Sequence, residues 1–335
     1  MNRIVLIGNG FDLAHGLRTK YEHFIDWYLD QKDSSEKLYK EKIKSYDLYV
    51  ANMNFKHIDE SMIEYSTFLK NILKRVGTKQ WVDIENEYYA LLIRYTYPNI
   101  DNSLKQESPK ILNEQLEHLK IKLIDYLKLE VKKDVNYIPS IKDKIYRPIK
   151  KREIAVANLN YLGNKNSKDV MPNNIMLLNF NYTMTEEQYK GSGVEVQVNH
   201  IHGCLDKANS VIFGYGDELD SDFEKLKNLN DNECLRNMKS IRYLEAENYR
   251  EMLEFIESGP FQVCIMGHSC GNSDRTLLNT LFEHRFCVSV KPYYYKKDGT
   301  DNYLELVQNI SRSFTDMKLM RDRVVNKTFC EPLTD

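Results

Sequence analysis

The positions of apolar residues along the chain predict strands that alternate with helices. Residues 194–203 alternate between apolar and polar side chains, and residues 211–216 form a short apolar stretch that ends in glycine. The other predicted strands are short runs made up mainly of apolar residues, as expected of strands buried on both faces. They are residues 3–7, 174–181, 261–266 and 286–290. Strands separated by helices predict an open, mostly parallel α/β sheet.

Helical periodicity separates the first predicted strand from the others. From about residue 36 to residue 150 the chain is rich in lysine, glutamate, leucine and tyrosine. In one segment Leu116, Leu119, Leu123 and Leu127 lie three or four positions apart, as on one face of a helix. We interpret residues 36–165 as a helical insertion lobe carried by a sheet domain of residues 1–35 and 166–325, with residues 326–335 as a C-terminal tail. Further helices are predicted at residues 21–31, at about 220–258 and at 302–314.

Composition narrows the class of protein. The 335 residues are 42% hydrophobic, which allows a sizeable core, and 14 glycines and 8 prolines are too few for a loop-rich all-β protein. The net charge of -2 leaves no general basic surface for nucleic acid. The six cysteines form no CxxC pair, and neither a signal peptide nor a membrane-spanning run is expected. The sequence therefore predicts a reduced, cytoplasmic protein with no membrane contact.

A glycine-flanked turn follows the first predicted strand directly. Gly8, Asn9 and Gly10 lie where a parallel strand ends and a helix begins, and ligands bind outside the carboxyl ends of such strands. Glycines let the backbone approach a phosphate closely, and the start of a helix favours an anion. A nucleotide pyrophosphate site is the functional interpretation, and a tight structural turn is the alternative. The dinucleotide fingerprint is incomplete, because Leu13 takes the third glycine position.

Three later predicted strands also end in polar residues. If the strands are parallel, these ends lie at one edge of the sheet with the glycine turn. Such a convergence predicts a nucleotide site with chemistry attached. The residues are Asn179, Asn181 and Thr183 after one strand, His200 and His202 after the next, and Gly267, His268, Ser269 and Asp274 after a third.

Several of these residues have a second interpretation. His200 and His202 are two positions apart and, with Asp206, could ligate a metal. Ser269 lies in a GxSxG-like stretch typical of a hydrolase nucleophile, although no acid and histidine follow it in the usual order. Asp274 precedes a predicted helix and could serve only as its N-cap.

A group of acidic residues begins a predicted helix of the lobe. Asp83, Glu85 and Glu87 lie beside aromatic residues in the stretch WVDIENEY. A solvated helix face explains them, and an acid that reaches the cleft from the lobe is the alternative.

Taken together, the motifs resemble the AbiH family of bacterial abortive-infection proteins. The resemblance runs from Ile4 to about Leu278 through LIGNGFDLAHGLRTKYEHF, WVDIENEYY, NFNYT, HIHG, FGYG and GHSCGNSDRTLL. The central motifs are in turn similar to those of sirtuin-like NAD-consuming domains of phage defence. The resemblance implies a Rossmann-like, sirtuin-like sheet and a role against phage.

The resemblance also implies roles for individual residues. Asn181 would position water or the ribose next to nicotinamide, and His202 would be the catalytic histidine. Asp12 would hold the ribose or cap its helix. The remaining contacts would come from Gly8, Asn9 and Gly10 at the pyrophosphate and from Gly267, Ser269 and Asp274 near the adenosine ribose.

The chain departs from the sirtuin-like pattern at two of these positions. Asn9 takes the middle place of the usual Gly-Ala-Gly, and Thr183 stands where Asp is usual. The four-cysteine zinc site of the true deacylases is missing from the sequence, so deacylation is not expected.

The expected function is an NAD⁺ glycohydrolase that cleaves the nicotinamide–ribose bond during abortive infection. Such cleavage requires an oriented water and stabilisation of an oxocarbenium-like transition state, and a histidine such as His202 suits the proton transfer. NAD is the substrate or ligand, no cofactor is required, and a phage or host protein is the expected trigger. The alternatives are a non-catalytic nucleotide-sensing module and a metal-dependent nuclease. The sequence leaves a homo-oligomer open.

Overall fold

The computed structural model describes residues 1–30, 67–69, 71–72, 84–96, 108–131, 135–162, 169–191 and 193–334. Its centre is a parallel sheet of five strands, flanked by two small antiparallel pairs. The strands are β1 (Asn2–Ile7), β2 (Ile149–Lys150), β3 (Asp169–Val170), β4 (Asn174–Asn179), β5 (Glu195–His200), β6 (Phe261–Met266), β7 (Cys287–Tyr293), β8 (Lys296–Lys297) and β9 (Thr300–Asp301). The predicted α/β class with a parallel sheet is confirmed.

The strand order of the central sheet is β5-β4-β1-β6-β7. Ile4 in β1 lies opposite Met176 in β4 and Val263 in β6, and all four neighbouring pairs are parallel. The order of strands along the chain reverses between β1 and β6. In open α/β sheets the crevice at such a reversal, outside the carboxyl ends of the strands, is the usual place for a ligand.

Helices of the described residues connect these strands. The predicted helix at 21–31 is confirmed, whereas the predicted 220–258 stretch is divided into three helices. The helices are α1 (Asn9–Ala14), α2 (Tyr21–Asp30), α3 (Ile84–Arg94), α4 (Pro109–Glu130), α5 (Pro139–Tyr146), α6 (Ser221–Asn228), α7 (Lys239–Arg242), α8 (Asn248–Glu257), α9 (Arg275–Phe282), α10 (Tyr303–Arg312) and α11 (Met317–Arg323).

Both faces of the sheet are covered. Because successive residues of a strand point to opposite faces, Ile4 and Leu6 of β1 pack with apolar residues of α8, α9, α10 and α11. Val5 and Ile7 pack on the other face, against α1 and α5. The β1 side chains are fully buried, as the uninterrupted apolar run predicts.

A separate apolar core is built from α2, α3 and α4. It also includes Val211, Phe213 and Tyr215 and residues of α6. Much of the predicted lobe, including Asp83, lies outside the described residues. The segment from α5 to residue 162 is part of the predicted lobe by sequence, and Ile141 and Ile145 of α5 pack on the sheet.

The strand predicted at residues 211–216 is wrong. This segment crosses between two cores, so Ile212 packs with the sheet while Val211, Phe213 and Tyr215 pack with the lobe helices. The segment is therefore as apolar as a buried strand, but its backbone joins no sheet. Its backbone hydrogen bonds go to single residues of loops and helices, as when the amide of Ile212 donates to the carbonyl of His202 at 2.9 Å and the amide of Lys239 donates to the carbonyl of Tyr215 at 2.8 Å.

Two further features bear on the expectations from composition. All six cysteines are unpaired. Within the described ranges, none of the helices combines the length and the hydropathy needed to span a lipid bilayer.

Candidate functional site

A buried charged cluster lies at the carboxyl edge of the sheet. It consists of Glu85, His202, Lys239 and Asp274, each at most 8% exposed. The Lys239 ammonium donates to Asp274 Oδ1 at 2.8 Å and to Glu85 Oε2 at 2.9 Å. His202 Nε2 lies 3.2 Å from the same Asp274 oxygen. One ammonium therefore bridges two carboxylates, and one of these carboxylates also contacts the predicted catalytic histidine.

Four separate segments supply the cluster. Glu85 begins α3 of the lobe, Lys239 begins α7, and His202 follows β5. Asp274 occupies the N-cap position of α9, yet its side chain makes no capping hydrogen bond. The interpretation of Asp274 as a mere helix cap is therefore wrong, because its carboxylate is directed toward Lys239 and His202.

Charge interactions set the protonation of the cluster. Burial opposes the charge of Lys239, but Asp274 and Glu85 outweigh burial and raise its pKa. Burial also opposes the charge of Asp274, and Lys239 and His202 together hold its pKa well below the usual value. The pKa of His202 is lowered, mainly by burial and then by the neighbouring Lys239. Near pH 7 the cluster therefore holds a charged lysine, an ionised aspartate and a neutral histidine.

Aromatic rings surround the histidine. Phe180 meets the His202 ring edge-on, with centroids 5.2 Å apart. The ring of Tyr243 is nearly parallel to that of His202, and its hydroxyl lies 3.1 Å from His202 Nε2. The ring of Tyr249 stacks on the ring of Tyr243, with centroids 5.3 Å apart. Both tyrosines line a cavity of about 170 Å³, so the stacked rings connect the buried cluster with a surface recess.

The turn after β1 packs directly against the turn after β6. The amide of Gly10 donates to the carbonyl of Gly267 at 2.8 Å, and the amide of Phe11 donates to Gly8 at 2.8 Å. A Cβ on Gly8 would lie 2.5 Å from the Cα of His268, and one on Gly267 would overlap the nitrogen of Phe11. The glycines are thus required by backbone contact. The pyrophosphate contact stays a prediction for Gly8, Asn9 and Gly10, and the contact near the adenosine ribose stays a prediction for Gly267.

Asp12 belongs to a second polar group, between β1 and β4. It lies inside α1, is 1% exposed, and accepts a 2.6 Å hydrogen bond from the Thr183 hydroxyl. Its carboxylate therefore receives a side-chain donor from the neighbouring strand end, and α1 has Gly8 at its N-cap. Burial, opposed by the hydrogen bond from Thr183, raises the pKa of Asp12 to about 6.

Asn181 connects the end of β4 with the first turn. Its side-chain amide donates to the Gly8 carbonyl at 3.0 Å, and its backbone amide donates to Asn179 Oδ1 at 2.8 Å. Asn181 is half-buried. Its roles toward water or ribose stay predictions, and its observed role is to join two strand ends.

Two other predicted contacts lie at the periphery. The side-chain oxygen of Asn9 accepts a hydrogen bond from the hydroxyl of Thr19. Ser269 is exposed, and its carbonyl accepts from Asn309 at 2.9 Å. Of the residues predicted for the nucleotide, the structure therefore brings His202 and Asp274 into direct contact and places Ser269 at the surface.

The two histidines of the HIH motif have different partners. His200 Nε2 lies 3.1 Å from Glu186 Oε1, whereas His202 contacts Asp274. Among the described residues, the group of potential ligands around His200 contains neither His202 nor Asp206. The structure therefore does not bring together His200, His202 and Asp206, the metal set that the sequence offered as an alternative.

The sequence alone leaves part of the cluster unrecognised. Lys239 lies in a polar stretch without any motif, and no pattern in the sequence indicates its role. Glu85 agrees with the alternative interpretation of the acidic residues, in which an acid reaches the cleft. Its carboxylate accepts from Lys239 at 2.9 Å and from the Gly214 amide at 3.1 Å. His202, in the HIHG stretch, and Asp274, which follows the Gly-x-Ser stretch, are both among the residues predicted from the sequence.

Fold and site together define an α/β protein with a buried, ionised polar site at the carboxyl edge of a parallel sheet. The family described as "Bacteriophage abortive infection AbiH" matches residues 4–295, and the chain belongs to this family. The family resemblance predicted from the motifs is confirmed, and with it a role in abortive-infection defence against phage. No curated protein and no solved structure matches the chain.

Proposed function

We propose that this AbiH protein is an abortive-infection effector that hydrolyses NAD⁺, with the buried charged cluster as its chemical centre. The observation that carries the proposal is the contact between His202 and Asp274, which come from two different strand ends and meet at the carboxyl edge of the sheet. The strand order β5-β4-β1-β6-β7 supports it, because it corresponds to the order of a Rossmann-like dinucleotide-binding sheet.

The chemistry required matches the protonation of the cluster. Hydrolysis breaks the bond between C1 of the ribose and the nicotinamide nitrogen, and water forms the new bond to C1. Nicotinamide leaves as a neutral molecule, so no strong acid is needed. Neutral His202 accepts the proton of the attacking water, and Asp274 stabilises the resulting imidazolium, as a carboxylate does in a catalytic triad.

Access is the second requirement. His202 is 4% exposed, so the ribose reaches it only if the rings of Tyr243 and Tyr249 move away from the cavity beside them. A closed resting site suits an effector that must spare its host until infection.

The decisive experiment measures nicotinamide release from NAD⁺ by the purified protein, with and without EDTA. Wild type is compared with His202→Ala, Asn181→Ala and, as a matched control, His284→Ala, whose histidine lies near the surface beside Glu257. We expect release that resists EDTA and falls about 10²- to 10⁴-fold without His202. The His284 variant should retain full activity.

The same measurement is repeated in cells during phage infection, because the resting protein is expected to be closed. Intact protection from phage with no loss of NAD would overturn the hydrolase proposal.

A nucleotide-sensing module is the second candidate, and one observation favours it. Lys239 forms ion pairs with both carboxylates of the cluster within the chain, an arrangement that also occurs in cores built for conformational specificity. This alternative predicts that NAD⁺ binds in calorimetry while no nicotinamide is released.

A further inference from the structure

We propose that Glu186, Glu187 and His200 form a binding site for a divalent first-row transition metal, separate from the buried charged cluster. One ligand atom from each residue lies within 4.8 Å of the others. Ligand bonds to such a metal are about 2.0–2.2 Å long, so atoms around one ion lie about 3–4 Å apart. The three side chains are thus close enough to share an ion. The inference is independent of NAD hydrolysis.

Buried polar atoms without hydrogen-bond partners support a cation at this position. Glu186 is fully buried, and its Oε2 accepts from Asn179 Nδ2 at 2.6 Å. Its other oxygen, Oε1, makes no hydrogen bond and lies 3.1 Å from His200 Nε2. Neither ring nitrogen of His200 has a hydrogen-bond partner. Buried polar atoms are rarely left unpaired, and a cation between Oε1 and Nε2 would satisfy both.

The supporting structure is already in place. Glu186 and Glu187 lie in the 3₁₀ turn Thr185–Tyr189, and His200 is the last residue of β5. The hydrogen bond from Asn179 Nδ2 to Glu186 Oε2 orients the Glu186 carboxylate, as residues around metal ligands commonly do. The Glu187 side chain is 34% exposed and also pairs with Lys190, an exposed interaction that a metal can displace.

The ligand types indicate which metal fits. One imidazole and two carboxylates suit Zn²⁺ or Mn²⁺ better than soft metals, which prefer thiolates. Three protein ligands leave a coordination position open, so an anion or a water molecule could bind there. Solvent reaches the site through Glu187.

The test measures Zn²⁺ binding to the full chain, freed of any affinity tag and stripped with EDTA, by equilibrium dialysis and metal analysis. We expect one equivalent in wild type and at least tenfold weaker binding in both His200→Ala and Glu187→Gln. The matched control removes the other imidazole–carboxylate pair, His284 Nε2 and Glu257 Oε1, which are also 3.1 Å apart. His284→Ala should bind as wild type does.

A spectroscopic readout identifies the ligand set. Co²⁺ should give visible absorption bands in wild type that change in Glu187→Gln, a surface variant expected to fold even if His200→Ala does not. Absence of Zn²⁺ binding, or unchanged affinity in Glu187→Gln, would refute the site. Loss of the metal in His284→Ala would assign it to the other pair. Nicotinamide release enters none of these outcomes, so this inference and the proposed function can fail separately.

Discussion

At the scale of single residues, the site depends on Lys239, which belongs to no recognisable sequence motif. His202 and Asp274 could be predicted because they follow buried strands, and strand ends meet at one edge of a parallel sheet. Lys239 could not, because its function depends on Glu85 and Asp274, which lie far from it in the chain and reach it only in the folded structure. Local sequence patterns carry no information about such a contact.

Replacing Lys239 tests how strongly the cluster depends on it. Lys239→Met keeps most of the side-chain volume but leaves two buried carboxylates without a cation, so we expect a loss of about 3–5 kcal/mol in the free energy of unfolding. Lys227→Met is the control, because Lys227 forms an exposed pair with Glu224, and it should cost less than about 1 kcal/mol. Urea denaturation measures both. Equal, small losses in the two variants would contradict the proposed importance of Lys239.

The buried Asp12 should make stability depend on pH. Burial raises the pKa of Asp12 to about 6 in the folded state, from 3.8 when unperturbed. Between these values the folded state holds a proton that the unfolded state has lost, so stability falls as pH rises from 4 to 6. Asp12→Asn removes this term. We expect its stability relative to wild type to increase by about 2 kcal/mol from pH 4 to pH 7.

Denaturation at several pH values, with EDTA present, provides the measurement for Asp12. Parallel stability curves for wild type and Asp12→Asn would show that the carboxyl group titrates normally in the folded protein.

At the scale of secondary structure, the sequence predicts best those strands that helices cover on both faces of the sheet. Four strands of the central sheet are predicted from mainly apolar runs, which reflect cover by helices on both faces, and β5 is predicted from its alternation. Residues 211–216 show the limit of the first rule. Their run is apolar because it is buried between two cores, as Ile212 and Phe213 demonstrate, and an apolar pattern does not reveal whether the backbone has a strand beside it.

The contact between the two glycine turns gives a test at this scale. Gly267 has φ +78°, and a Cβ there would overlap the backbone of Phe11. Gly299 has φ +77° with open space around it, so Gly299→Ala isolates the cost of the backbone conformation, about 1 kcal/mol. We expect Gly267→Ala to cost at least about 2 kcal/mol more. Thermal unfolding of both variants measures the difference, and equal losses would show that the turns are not tightly packed.

At the scale of the whole molecule, the charged cluster joins the helical core of α2, α3 and α4 to the sheet. Glu85 belongs to α3 of this core, whereas His202 and Asp274 follow strands of the sheet. The sequence indicates the separate helical segment, but the contact between lobe and site follows from tertiary packing. Because the chain belongs to the AbiH family, its role is in abortive-infection defence.

Infection assays test the cluster in the complete protein. Bacteria that express wild type should survive as a culture at a low ratio of phage to cells and collapse at a high ratio, because infected cells die before phage are released. His202→Ala should lose both effects at equal protein level, and His284→Ala should keep them. Protection that persists in His202→Ala would place the activity elsewhere in the molecule.

The position of β1 in the sheet has a consequence for synthesis. Ile4 pairs with Met176 on one side and with Val263 on the other, so the first strand made is the central one and waits for both neighbours. At about 5–20 residues per second, the ribosome needs roughly 13–50 seconds to reach the second partner. Until then the apolar strand keeps at least one open edge outside the exit tunnel, which makes the nascent chain a substrate for chaperones and delays assembly of the site until β6 and the residues after it are made.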